Sequence, residues 1–209
     1  MMKRLTVVAL AFVALAGAAQ ASPHSQALIK QGQAALAAKD YANALAKFRA
    51  AETADPKDAN AFFFEGATLN RTGDVADAQI ALKHAQSLGS RQPDLLFELG
   101  WSEVLPGPAD DAVKNLEAYE HAHPNRGLTS ELLGRAYARS GQYDAAVAKL
   151  KEAMARDPRL TGNALFYLAI VEKKRGNLDA ARGYLAQLQQ AAPDSQGVKV
   201  LQTALAGGK

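Results

Sequence analysis

A nearly regular recurrence of small residues constrains this chain more than any other feature. Counted from Ser25, Ala59, Pro93, Gly127 and Gly162, successive segments start 34, 34, 34 and 35 residues apart. The eighth residue of each segment is small: Gly32, Gly66, Gly100, Gly134 and Ala169. The twentieth is alanine throughout, at Ala44, Ala78, Ala112, Ala146 and Ala181. The twenty-fourth is large and apolar, at Phe48, Leu82, Leu116, Leu150 and Leu185. The thirty-second is Pro56, Ser90, Pro124, Pro158 and Pro193. A repeat of this length is one supersecondary unit that buries its apolar face only against its neighbours.

Each column has a physical reason. Small residues at positions eight and twenty let two helices approach closely, and the large residue at twenty-four fills the space between them. Proline at thirty-two suits the end of a second helix, because it cannot continue the hydrogen-bond ladder. The turns Lys39-Asp40-Tyr41, Gly73-Asp74-Val75, Gly141-Gln142-Tyr143 and Gly176-Asn177-Leu178 separate the helices. Glycine there ends the first helix, and the polar residue beside it is placed to cap the second. Asp40, Asp74, Asp144 and Asp179 read as caps or first-turn charges.

The stretch Gly127–Pro158, with Leu133, Gly134, Tyr137, Gly141, Ala146, Leu150, Ala153 and Pro158 in place, resembles a tetratricopeptide repeat (TPR). The resemblance covers Ser25 to roughly Ser195 and implies an all-α, right-handed solenoid. The repeats would fall near 25–58, 59–92, 93–126, 127–161 and 162–195, with a capping helix over 194–206 and a frayed Gly207-Gly208-Lys209 tail. Two departures stand out: Leu105-Pro106-Gly107-Pro108 should end a first helix early, and an extra residue falls near Leu160–Gly162. Gln31 and Glu65 occupy position seven, where the family prefers an apolar residue, so the first two repeats are expected to be the less stable end.

Composition agrees with helices that pack through small side chains: hydrophobic residues make up 48% and aromatics 7%. No long alternating run signals a strand. Residues 1–21 read as a secretory signal peptide, with Lys3 and Arg4 before the apolar run Leu5–Ala16 and an Ala19-Gln20-Ala21 cleavage site. That run would span roughly 18 Å of helix against a hydrocarbon core of about 30 Å, too short for a stable membrane anchor. The mature domain would be 22–209. A lipoprotein needs a cysteine at the cleavage point, and the chain has no cysteine. The expected location is the periplasm, with full secretion as the alternative. Losing Lys3 and Arg4 lowers the formal charge from +3 to +1, and with no Lys/Arg run this is not the footprint of a nucleic-acid binder.

The family resemblance implies a concave groove lined by positions two, five, nine, twelve and thirteen of the first helices. Carried onto this chain, the candidate groove residues are Phe63, Arg71, Phe97, Trp101, Glu131, Arg135, Arg139, Phe166, Ile170 and Lys173. Phe63, Phe97 and Trp101 would form an apolar floor, followed by a basic stretch at Arg135, Arg139, Lys173 and Lys174. Such a surface suits a peptide with apolar and acidic groups. Position-five and position-nine side chains also pack against neighbouring helices, so Phe97 and Phe166 read equally as core between repeats. The family's carboxylate clamp is missing, since Ile29 and Gln33 stand where its lysine and asparagine belong.

Motifs for catalysis are not found: there is no phosphate loop, zinc-protease helix or nucleophile elbow. His121 and His123 point away from each other at a helix end, and Asp110-Asp111 suits a helix N-terminus. No metal, cofactor or enzyme activity is expected. The resulting expectation is a scaffold that binds a partner protein or peptide, in an envelope assembly or export setting. The alternative is a self-associating structural protein that forms a homo-oligomer through the apolar stretch Val198–Leu205.

Overall fold

Capped, alanine-rich segments separated by left-handed turns fold into consecutive antiparallel helix pairs. The computed structural model describes residues 21–105 and 107–206; residues 1–20, on which most of the expected signal peptide falls, Pro106 and the last three residues lie outside the described residues. Within them the pairs are α1 (Pro23–Ala37) with α2 (Tyr41–Ala54), and α3 (Ala59–Thr72) with α4 (Val75–Ser87). They continue as α5 (Leu95–Glu103) with α6 (Ala109–Ala122), α7 (Gly127–Arg139) with α8 (Tyr143–Arg156), and α9 (Thr161–Lys174) with α10 (Leu178–Ala191). A last helix, α11 (Gln196–Ala206), closes the stack. Each pair packs on the next, and first helices also touch first helices, which is the arrangement of a solenoid.

The repeated columns do the packing. Ala44, Ala78, Ala112, Ala146 and Ala181 are fully buried, as are Phe48, Leu82, Leu116 and Leu150. A side-chain carbon placed on Gly66 or Gly100 would lie 2.5 Å from Leu82 Cγ or Leu116 Cγ. The small residue is therefore a requirement of close approach, not a weak point in the helix. Gly73, Gly141 and Gly176 have φ of 91°, 80° and 81°, the left-handed region that ends a helix with little cost for glycine. Lys39 does the same at φ 60° without that exemption.

Capping is less uniform than the turn sequences suggest. Asp40 accepts a bond from the Asn43 amide at 3.2 Å, but Asp74, Gln142 and Asn177 make no side-chain cap. Asp74 instead accepts from the Thr72 hydroxyl, and Asn177 donates to Glu172. Tertiary or local partners out-compete the cap at those positions. Where the extra residue falls, a 3-10 turn at Pro158–Leu160 joins α8 to α9.

The third pair shows the largest irregularity. α5 has 9 residues, whereas α3 has 14, so its last carbonyls lose the turn that would have covered them. At the far end, α11 lays Val198 and Leu201 against Leu165, Ala169 and Leu188, and Leu205 is buried beyond them. The apolar content of Val198–Leu205 is thereby largely consumed as a cap, leaving Val200 as its exposed large side chain.

Candidate interaction groove

The first helices bring their groove positions to one face, but not in the pattern of an open apolar floor beside a basic strip. Phe63, Phe97 and Glu131 are 5%, 8% and 2% exposed, so they sit mainly between helices. Trp101, Arg135, Phe166 and Ile170 are half-buried, while Arg71, Arg139 and Lys173 are exposed.

Two arginine ledges organise the face. In the first, the buried Glu98 carboxylate takes Asn70 Nδ2 at 2.8 Å and Arg71 Nη1 at 3.0 Å. Asn70 also donates to the Glu98 carbonyl at 2.9 Å, tying α3 to α5. The Arg71 guanidinium lies 6.0 Å from the Trp101 ring centre, and Trp101 meets Phe97 edge-on at 5.7 Å. In the second ledge, Arg135 Nη1 is 3.5 Å from Glu131, and its guanidinium lies over Tyr167 at 4.8 Å. Burial pushes both the Glu98 and Glu131 carboxyls above the ordinary range, with Arg71 and Arg135 pulling the other way. Each arginine therefore combines partial neutralisation with an aromatic platform, an arrangement in which cation–π attraction adds to the ion pair. Arg135 Nε is buried with no partner among the described residues.

Arg139 is committed to the scaffold. Its Nη1 donates to the Glu103 and Val104 carbonyls at 3.1 and 2.6 Å, and its Nη2 donates to the Gly107 carbonyl at 3.0 Å. The fork supplies the donors that the shortened α5 cannot. Replacing Arg139 with alanine should cost about 1–2 kcal/mol, since charged hydrogen bonds from an exposed side chain lose part of their value to water. Thermal unfolding checks this, and lysine should recover less than half of the loss, because one ammonium cannot span three carbonyls.

The face opens at both ends. Near α1, a cavity of about 560 Å³ is bordered by Gln26, Ile29 and Gln33. Near α11, a cavity of about 380 Å³ lies between Arg135, Phe166, Tyr167, Gly197 and Val200. A side-chain carbon on Gly197 would come within 3.0 Å of Phe166, so glycine there keeps the cavity wall close to the ring. Glu98 and Tyr167 were not among the expected groove residues. Both stand at position six, and the signal for Glu98 was a single acid inside the apolar run Leu95–Trp101.

A stack of paired helices with one face bordered by its first helices defines a helical-repeat solenoid. The sequence profile described as tetratricopeptide repeat matches residues 9–59, 29–90, 107–160 and 131–196, and the chain belongs to that family. No curated protein matches it. Among solved structures it is similar to YrrB, described as a TPR protein with an unusual peptide-binding site, with 18% identity over 88% of this chain and 99% of that one and a TM-score of 0.66. It is similar to MamA from Desulfovibrio magneticus RS-1 (18% identity, 84% and 99% covered, TM-score 0.65). It is also similar to PilW, a type IV pilus biogenesis factor (19% identity, 87% and 100% covered, TM-score 0.58). At these identities the likeness is one of fold.

Proposed function

We propose that this protein is an exported scaffold that captures a segment of a partner protein along the face of its first helices. The observation that carries the reading is the cavity of about 380 Å³ beside the Arg135–Tyr167 ledge. It offers an apolar recess bordered by the Arg135 guanidinium within one site. The segment that fits carries an apolar side chain for the recess and a carboxylate for Arg135, with a second contact on the Arg71–Trp101 ledge. Kinship of fold with a TPR protein that has a peptide-binding site supports the reading, and so does the leader read in residues 1–21. An envelope assembly or export system is the setting this implies. Among the described residues no helix is long and apolar enough to cross a membrane.

The test is affinity capture from the native envelope with the mature chain as bait. Trp101→Ala combined with Arg135→Ala should lose the partner, while circular dichroism shows the helices intact. Capture at the wild-type level by that double variant would remove the groove from the account. Self-association has less to rest on, because α11 turns its apolar stripe inward.

A further inference from the structure

A second surface lies on the opposite side of α3. The groove-side residues Asn60, Phe63, Ala67, Asn70 and Arg71 form one stripe of that helix. Phe62, Glu65 and Leu69 form another, roughly 160° around the helix at 100° per residue. The second stripe floors a valley between α2 and α4 that encloses about 290 Å³. Ile80, on the α4 wall, is 70% exposed, the most exposed large apolar side chain of the described residues. His84 covers Phe62 at 4.3 Å between ring centres.

The valley is also short of a cation. Glu65 accepts from Arg49 Nε at 2.7 Å, but Glu52 Oε1, one turn along α2, is buried with no donor from a basic or amide group, its carboxyl set against that of Glu65. The same valley recurs two repeats later between α6, α7 and α8, and there it is complete. Glu120, the counterpart of Glu52, takes Lys149 Nζ on both oxygens at 2.8 and 2.7 Å. Arg156 stands 3.7 Å away. The counterpart of Lys149 in the earlier valley is Ala81, and the counterpart of the buried Leu133 is the acid Glu65. Asp77 on α4 adds a further negative charge. One arginine thus faces three carboxyls, two of which, Glu65 and Asp77, line a recess with an exposed isoleucine at its edge.

We propose that the valley between α2, α3 and α4 is a second docking surface, accepting from a partner protein a lysine flanked by aliphatic residues. The lysine ammonium supplies to Glu52 and Glu65 what Lys149 supplies to Glu120, and the aliphatic neighbours cover Ile80 and Leu69. The charge balance selects this occupant over an acidic or purely apolar one. Docking is coupled to a proton. Burial, and then the neighbouring Glu65, push the Glu52 carboxyl up to about 8, with Arg49 on its own helix opposing. Asp77 and His84 line the valley from α4. A lysine with an ordinary pKa near 10.4 stays charged throughout, so docking expels the proton from Glu52 and weakens as pH falls.

The probe is a short acetylated and amidated peptide of alternating lysine and leucine, with its acetyl-lysine analogue as control, titrated calorimetrically into the full mature chain. Binding at about pH 9 should exceed that at about pH 6 by at least tenfold, since an ordinary lysine is charged at both while Glu52 is not. Glu52→Gln should abolish that pH dependence. Ala81→Lys, which brings the ammonium from within, should block the peptide. Trp101→Ala should leave peptide binding intact, separating this surface from the groove. Equal binding by the acetyl-lysine analogue, an unchanged profile for Glu52→Gln, or loss of the peptide with Trp101→Ala overturns the proposal.

Discussion

Replacing Gly134 with valine should destabilise the protein by about 3 kcal/mol, the upper part of the range for overpacking a filled core. A side-chain carbon at that position would sit 2.6 Å from Leu150 Cγ, 2.9 Å from Leu150 Cδ2 and 3.2 Å from the Ala146 carbonyl oxygen. Leu150 and Ala146 are both fully buried, so neither the leucine nor the backbone has room to retreat. Leaving glycine would regain about 0.5–1 kcal/mol of helix propensity at most, too little to offset the clash. The chain contains its own control. In the fifth repeat the eighth position is Ala169, and there the residue at position twenty-four, Leu185, is only half-buried. There the leucine packs against the edge of the cluster that holds Ala169 instead of being fully buried. Urea unfolding followed by circular dichroism measures the loss, and a variant within about 0.5 kcal/mol of wild type, the ordinary scatter of a surface substitution, would contradict the contact argument.

The second large effect is expected at the other end of the stack. Leu201→Ala should cost about 3 kcal/mol, because Leu201 is fully buried in the cluster with Leu165, Ala169 and Leu188. The loss should be local as well as large. In a solenoid each unit rests on its neighbours alone, so a damaged cap frays the end before the middle. Hydrogen exchange should accelerate in α10 and α11 and stay unchanged in α1 to α4. The cavity beside Arg135 has Gly197 and Val200 of α11 in its wall, so partner capture should weaken in the same variant. Uniform acceleration through every helix would mean that the stack unfolds as one unit.

The difference between these two predictions reflects how much of the molecule is written in its repeats. Gly134, Ala146 and Leu150 are legible in sequence because they meet within one hairpin, at fixed separations that recur. The left-handed turns at Gly73, Gly141 and Gly176 are legible for the same reason, since a turn is closed by its own few residues. The groove is less legible. Phe63 and Phe97 occupy groove positions yet lie between helices. Arg139 stands at a groove position, but it reaches across to carbonyls at the end of α5 and in the turn after it. Glu98 and Tyr167, one position beyond the expected column, complete the two arginine ledges.

The sequence alone determined the hairpin, its length, its number of copies and the closeness of its two helices, because the residues responsible sit within one repeat and steric contact there leaves no choice. Only the tertiary structure decided which charges are neutralised. Arg71 meets Glu98 and Arg135 lies over Tyr167 across repeat boundaries, while Glu52 and Glu120, alike in register, differ because Ala81 stands in one valley and Lys149 in the other. Those contacts depend on which side chains neighbouring repeats bring to a shared surface. A periodic sequence repeats its packing residues faithfully and varies the rest, so function rests on the part that periodicity does not specify.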